Sequence, residues 1–156
     1  MASSFSDIIS KLHSTVAESA NNLDENGKVK NALIINNKRQ ISATEDFDTV
    51  IAYEGDINSQ IITIQCPRYH DEHDLSACGH KELKWKNDGG GTEGVSTLKT
   101  ISSGIDETIF YMQWEVPADT CAKSGNVKIS ISIYDKNGDY TVFSWNTAEY
   151  TALSIG

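Results

Sequence analysis

Between Cys66 and His80 the chain concentrates side chains that bind metals. Cys66, His70, His73, Cys78 and His80 include three of its four histidines and two of its three cysteines. Thiolates and imidazoles together suit zinc. Their order does not, because neither Cys-x-x-Cys nor His-Glu-x-x-His occurs. The run from Pro67 to Asp74 has the composition of a charged surface loop, so the expectation is solvated histidines and no metal or other cofactor. Asp135-x-Asn137-x-Asp139 imitates the start of a calcium loop, but Tyr140 and Asn146 stand where glycine and glutamate are needed. Gly89-Gly90-Gly91 is followed by neither Gly-Lys-Ser/Thr nor a helix, and reads as a flexible tip. Gly-x-Ser-x-Gly is missing and the carboxylates are scattered over turns, so no enzyme is expected. Tyr53, Tyr69, Tyr111, Tyr134, Trp85, Trp114 and Trp145 could line a sugar or peptide groove. On alternating strands such residues are more often core or cross-strand neighbours.

The elements that hold these residues are mostly strands. Val127, Ile129, Ile131 and Ile133 alternate with Lys128, Ser130, Ser132 and Tyr134, a period of two that puts one apolar face inward. Asn137-Gly138 predicts a type I′ turn. The chain then returns with Tyr140, Val142 and Ser144 on one face and Thr141, Phe143 and Trp145 on the other. Further strands are predicted at 32–35, 41–43, 49–54, 60–66, around Leu83 and Trp85, at 95–101, 107–116 and 147–155. A connector at 118–124 holds about one helical turn. Residues 3–20 form the one helical pattern. There Phe5, Ile8, Ile9, Leu12 and Val16 make an apolar stripe, which packs either on its own domain or on another subunit. The predicted organisation is a helical arm and linker at 1–29 and a β domain at 30–156. The predicted fold is mainly β: an antiparallel β-sandwich of about eight strands, immunoglobulin-like or jelly-roll-like, preceded by an N-terminal amphipathic α-helix.

A net charge of −9, from 22 acidic and 13 basic residues, disfavours nucleic acid and anionic membrane as partners. No apolar run is long enough to span a bilayer, and Met1-Ala2-Ser3-Ser4-Phe5 lacks the basic and apolar regions of a signal peptide. Synthesis in a cytoplasm is expected, with Cys66, Cys78 and Cys121 as reduced thiols.

Three stretches carry a family resemblance. They are Tyr53-Glu54-Gly55-Asp56-Ile57-Asn58-Ser59 with the strand to Pro67-Arg68-Tyr69; Asp74-Leu75-Ser76 followed by Leu83-Lys84-Trp85-Lys86-Asn87; and Tyr134-Asp135-Lys136-Asn137-Gly138 through Phe143-Ser144-Trp145-Asn146-Thr147. In this order they resemble the N-terminal domain of baseplate upper proteins of Gram-positive phages, over residues 30–156. The resemblance implies a β-sandwich that docks on other virion proteins without catalysis. Those proteins continue into a linker or receptor-binding region, whereas this sequence stops at Gly156 and carries the extra helix. That combination looks more like a capsid decoration protein, a use made of related sandwich domains in phages of clostridial type. The expected function is therefore a virion structural protein, assembled in a host bacterial cytoplasm. Its expected partners are the major capsid protein, or tail and baseplate proteins, and it could also self-associate. The expected contact residues are Phe5, Ile8, Ile9, Leu12 and Val16. A tail adaptor and a glycan-binding module facing the host are the alternatives.

Overall fold

The computed structural model describes Leu23, residues 27–101 and residues 107–156. The predicted helix over 3–20 lies outside the described residues, and with it Phe5, Ile8, Ile9, Leu12 and Val16. Thirteen strands are present among the described residues: β1 (Ala32–Ile35), β2 (Ile41–Ala43), β3 (Val50–Ala52), β4 (Ile61–Pro67), β5 (Tyr69–His70), β6 (His73–Asp74), β7 (His80–Asn87), β8 (Thr92–Thr97), β9 (Lys99–Ile101), β10 (Ile109–Glu115), β11 (Gly125–Asn137), β12 (Tyr140–Asn146) and β13 (Tyr150–Ile155). They form a five-stranded sheet in the order β2-β1-β4-β10-β9 and a six-stranded sheet in the order β3-β13-β11-β7-β8, with β12 also on β11. The small β5–β6 ladder stands apart.

The 13-residue β11 is the axis of the larger sheet. One edge pairs with β7 from Val127 to Tyr134, while the other takes β13 on its first half and β12 on its second. The inner faces of the two sheets share one core. Leu33, Ile64, Phe110, Met112 and Trp114 come from the smaller sheet, and Leu83, Trp85, Ile129, Ile131, Ile133 and Trp145 from the larger. The outer face of the larger sheet is wet, as β7 and β11 predict, with Lys84 and Lys86 exposed and Lys128, Ser130 and Ser132 half-buried.

The smaller sheet departs from that alternation. Leu33 and Ile35, Ile62 and Ile64, and Phe110, Met112 and Trp114 fill the inner core, so their alternate neighbours point outward. Yet five outward residues are buried: Ala32 at 0%, Ile101 at 1%, Thr63 at 4% and Tyr111 at 7% exposure, and Pro67 at the end of β4.

Several expectations are corrected. The strands outnumber the expected eight, because β5 and β6 are two residues each and the predicted 95–101 strand is two strands. Its chain leaves the larger sheet at buried Leu98, whose N–H donates to the Lys81 carbonyl, and β9 joins the smaller sheet. The sandwich is not antiparallel throughout. β1 pairs with β4 and β3 pairs with β13 in parallel. The β1–β4 crossover runs through β2 and then β3 on the other sheet, which lets the chain return in its first direction. The hairpin turn also sits one residue later than predicted. Asn137 pairs with Tyr140, which leaves Gly138 at φ 62 and Asp139 as the loop. Asp135 pairs with Phe143 and Lys136 with Thr141, so Val142 bulges out of register. That bulge turns Thr141 outward while Phe143 and Trp145 still face in. The 118–124 connector holds consecutive turns, with N–H groups of Thr120, Cys121 and Ala122 donating to carbonyls three residues back.

Candidate functional site

The segment from Arg68 to Lys81 gathers most of the candidate chemistry. Its surface is solvated, as its composition predicts, with Asp71, Glu72, His73 and His80 exposed, but its backbone is ordered by pairing and a turn. β5 and β6 pair through Tyr69–Asp74 and His70–His73, and a single 3₁₀ turn, Leu75–Ala77, follows. Asp74 caps that turn by accepting from the Ser76 N–H at 3.0 Å. Its other carboxylate oxygen accepts from Arg68 Nε at 3.2 Å and NH2 at 3.0 Å. Burial pushes the Asp74 carboxyl up, but hydrogen bonds from Arg68 and Ser76 outweigh it and hold the group below the usual carboxylate range.

The three histidines here are parcelled out among the aromatic residues of the β11–β12 hairpin. His73 stacks on Phe143 with ring centroids 3.9 Å apart and planes 9° from parallel. His80 stacks on Tyr134 at 4.7 Å and 5°. His70 lies tilted 6.4 Å from Trp145, and its Nε2 is 3.2 Å from an Arg39 NH2 group that itself sits over the Trp145 ring. Cys66 is buried on β4, and the Cys78 Sγ donates to the Asp74 carbonyl at 3.7 Å. The structure therefore does not bring Cys66, His70, His73, Cys78 and His80 to one point. Among the described residues no group of His, Cys, Asp and Glu is placed to hold a metal ion. The Asp135 of the calcium-like run is also engaged, accepting from the Gly79 N–H at 2.6 Å.

Two residues that sequence reasoning passed over carry the polar work inside. Lys81, Leu83, Trp85 and Asn87 are the inward set of β7, so a lysine and an asparagine occupy core positions. That phase was the available signal. Lys81 Nζ donates to the carbonyls of Ser76 at 2.9 Å and Cys78 at 2.8 Å, closing the end of the 3₁₀ turn. Burial lowers its pKa. Asn87 is fully buried, and its amide donates to the carbonyls of Thr120 at 2.9 Å and Lys123 at 2.6 Å. Its side-chain oxygen accepts from the Gly89 N–H at 2.9 Å. The three glycines are thus not a loose tip: Gly89 lies directly against the Ser124 backbone.

The thiols are poor nucleophiles. Burial raises Cys66 and Cys121, and burial with the nearby Asp135 pushes Cys78 up to about 11. This predicts alkaline weakening of the fold. Unfolded thiols ionise from their ordinary value of 9.0 while the folded ones keep their protons. Above that value the unfolded chain binds fewer protons, so stability falls as pH rises. Lys81 acts oppositely, because its lowered pKa adds stability as pH climbs towards 10.5. Three thiols against one amine leave a net decline, with Cys78 alone contributing about 1 kcal/mol by pH 10. Urea midpoints should drop between pH 8 and 10, and Cys78→Ala should flatten part of the slope. Equal slopes in both proteins would refute this account.

The tryptophans cannot serve as a glycan platform from the surface: Trp85 is 5%, Trp114 0% and Trp145 2% exposed. The large exposed apolar residues include Tyr53 at 63% and Ile57 at 70% in the β3–β4 connection, and Ile61 at 58% at the start of β4. Tyr53 and Ile61 flank a groove of about 240 Å³ between β3 and β4, shared with Phe47 and Ile51. Compared with known proteins, the chain matches no protein-family model, no curated protein and no solved structure.

Proposed function

We propose that this chain is a non-enzymatic virion structural protein of a bacteriophage, a decoration protein that docks on the assembled major capsid protein and braces neighbouring capsomers. The observation that supports this best is the distribution of its side chains. Arg68, Asp74, Lys81 and the three imidazoles of the 68–81 segment are engaged in contacts that order the segment or hold it to the sandwich. Meanwhile Tyr53, Ile57 and Ile61 stand in water at one end. Exposed apolar surface of that kind suits a protein interface. The resemblance of residues 30–156 to a phage docking sandwich supports the same reading. A tail or baseplate adaptor is the second reading, carried by that resemblance alone.

The test is co-sedimentation of purified protein with empty heads and with isolated tails of the phage that encodes it, followed by cryo-electron microscopy. Binding to heads is expected, with a drop of at least tenfold in affinity for Ile57→Asp. The exposed position of Ile57 predicts an unchanged melting curve for that variant. Binding to tails only would replace decoration with the adaptor reading. Binding to neither would remove the virion assignment.

A further inference from the structure

We propose that β8 is a self-association edge: two copies of this chain pair their β8 strands antiparallel about a two-fold axis at Val95, joining their larger sheets into one. The carrying observation is that β8 is a long, regular sheet edge left bare. Its six residues pair with β7 without a break in register, from Thr92–Asn87 to Thr97–Glu82. On its other side, among the described residues, no strand joins it. None of the six is buried, and Val95 is 56% exposed. A sheet edge offers unpaired backbone groups to any strand alongside, and folded proteins guard such edges by shortness, bulges, proline or lysine. The other edges among the described residues are guarded. β2, β3 and β9 are three residues each, and β12 carries the bulge at Val142. β8 has none of these devices, and its one charged residue is Glu93.

The ladder fixes which backbone groups are free. The Leu98 N–H donates to the Lys81 carbonyl, the pair that follows Thr97–Glu82. Bonded and unbonded pairs alternate along an antiparallel ladder, so Ser96, Gly94 and Thr92 exchange hydrogen bonds with β7. Glu93, Val95 and Thr97 therefore turn their N–H and C=O groups to the open side. Their side chains are exposed on the outer face of the sheet.

That pattern selects one register for a second copy. Centred on Val95, the valine meets its own copy and Glu93 meets Thr97 of the second copy, and every such pair exchanges two hydrogen bonds. The unbonded pairs between them set Gly94 against Ser96, small side chains where the Cα atoms come closest, about 4.5 Å apart. No like charges meet, and a β-branched pair sits on the axis. Centring on Glu93 would oppose two carboxylates. Centring on Gly94 would set Thr97 against Gly91, which is in the turn at φ 65. Centring on Ser96 would set Glu93 against Lys99, which already belongs to the other sheet. A closed two-fold contact of this kind is self-limiting at the dimer. The proposal does not rest on the virion reading. β3 is the far edge of the same sheet, so Tyr53 and Ile57 beyond it stay free in each copy.

The test is sedimentation velocity on the full chain. Two paired six-residue edges make a small interface, so the dimer is sought at concentrations up to about 1 mM. Val95→Lys sets two cations face to face on the axis and should weaken dimerisation about tenfold or more. Val95→Pro, which deletes an N–H that the monomer ladder does not use, should do the same. Val142→Lys on β12 should dimerise as the unmodified chain does. Amide exchange read by NMR over the same concentrations should slow at Glu93, Val95 and Thr97 in step with the dimer fraction, while Gly94 and Ser96 stay protected throughout. A monomer at every concentration would overturn the proposal. So would a dimer that survives both Val95 substitutions, or slow exchange of those three amides in the dilute monomer, where the edge would already be covered.

Discussion

Gly89→Ala is expected to destabilise the fold by about 3 kcal/mol or more, among the larger effects a single methyl can have. A Cβ at Gly89 would stand 1.9 Å from the Ser124 carbonyl oxygen and 2.8 Å from its carbon, closer than atoms can pack. Relief would require backbone movement, and the opposing backbone is pinned. Asn87 holds the Lys123 carbonyl at 2.6 Å, and a Glu54 carboxylate oxygen accepts from the Ser124 N–H at 3.0 Å. The neighbouring glycines provide graded controls. Gly91 has open space but φ +65, so its alanine should cost about 1 kcal/mol. At Gly90 the nearest atoms are the Lys123 Cβ at 3.1 Å and Cγ at 3.2 Å, tight but not overlapping, so the cost there should be about 1 kcal/mol as well. Urea melts followed by circular dichroism should place Gly89→Ala well below the Gly90 and Gly91 variants, with unchanged slopes. A Gly89→Ala cost below that of Gly91→Ala would refute the clamp.

Trp114→Ala is expected to cost about 3–5 kcal/mol, a large share of the 5–15 kcal/mol that keeps a domain of this kind folded. The ring is completely buried near the end of β10, opposite Ile62 on β4 and within the common core. Its indole N–H has no hydrogen-bond partner, so the loss is one of packing alone. Trp114→Phe should therefore be much milder, about 1–2 kcal/mol, since it refills most of the space and strands no polar group. If phenylalanine cost as much as alanine, a polar contact of the indole would have to be sought.

The local periodicities in the sequence proved accurate where neighbours along the chain decide structure. The alternation from Val127 to Ile133 predicted the buried face of β11, and the runs at 32–35 and 41–43 became β1 and β2 with those bounds. What stayed hidden depends on residues distant in sequence. Nothing near Val50 indicates that β3 will lie parallel to a strand a hundred residues on. Across 95–101 the apolar residues Val95, Leu98 and Ile101 recur every third position, which breaks a period-two face at Leu98 but does not show that the chain crosses to the other sheet there. The Asn-Gly pair drew the turn one residue early because the compensating bulge, at Val142, lies on the opposite strand. Lys81 and Asn87 were readable as inward by phase, but the carbonyls that make them tolerable inside belong to the 76–78 and 120–123 segments. The three histidines of 70–80 were hidden for the same reason: each found an aromatic partner 54 or more residues away.

The parallel pairing of β3 with β13 has a consequence for how the domain is made. Val50 takes Ser154 as its ladder partner and Ala52 takes Ile155, so this strand waits for residues made about a hundred positions later before it can bond. During synthesis the edge at Val50–Ala52 stays open, and with it the inner residues Ile51 and Ala52 that complete the core. Closure of the larger sheet is thus a late, long-range event, and loop-closure entropy must be met before the ladder gives anything back. Refolding in the millisecond-to-second range is expected, with the β11–β12 hairpin forming first and the β3–β13 seam sealing last.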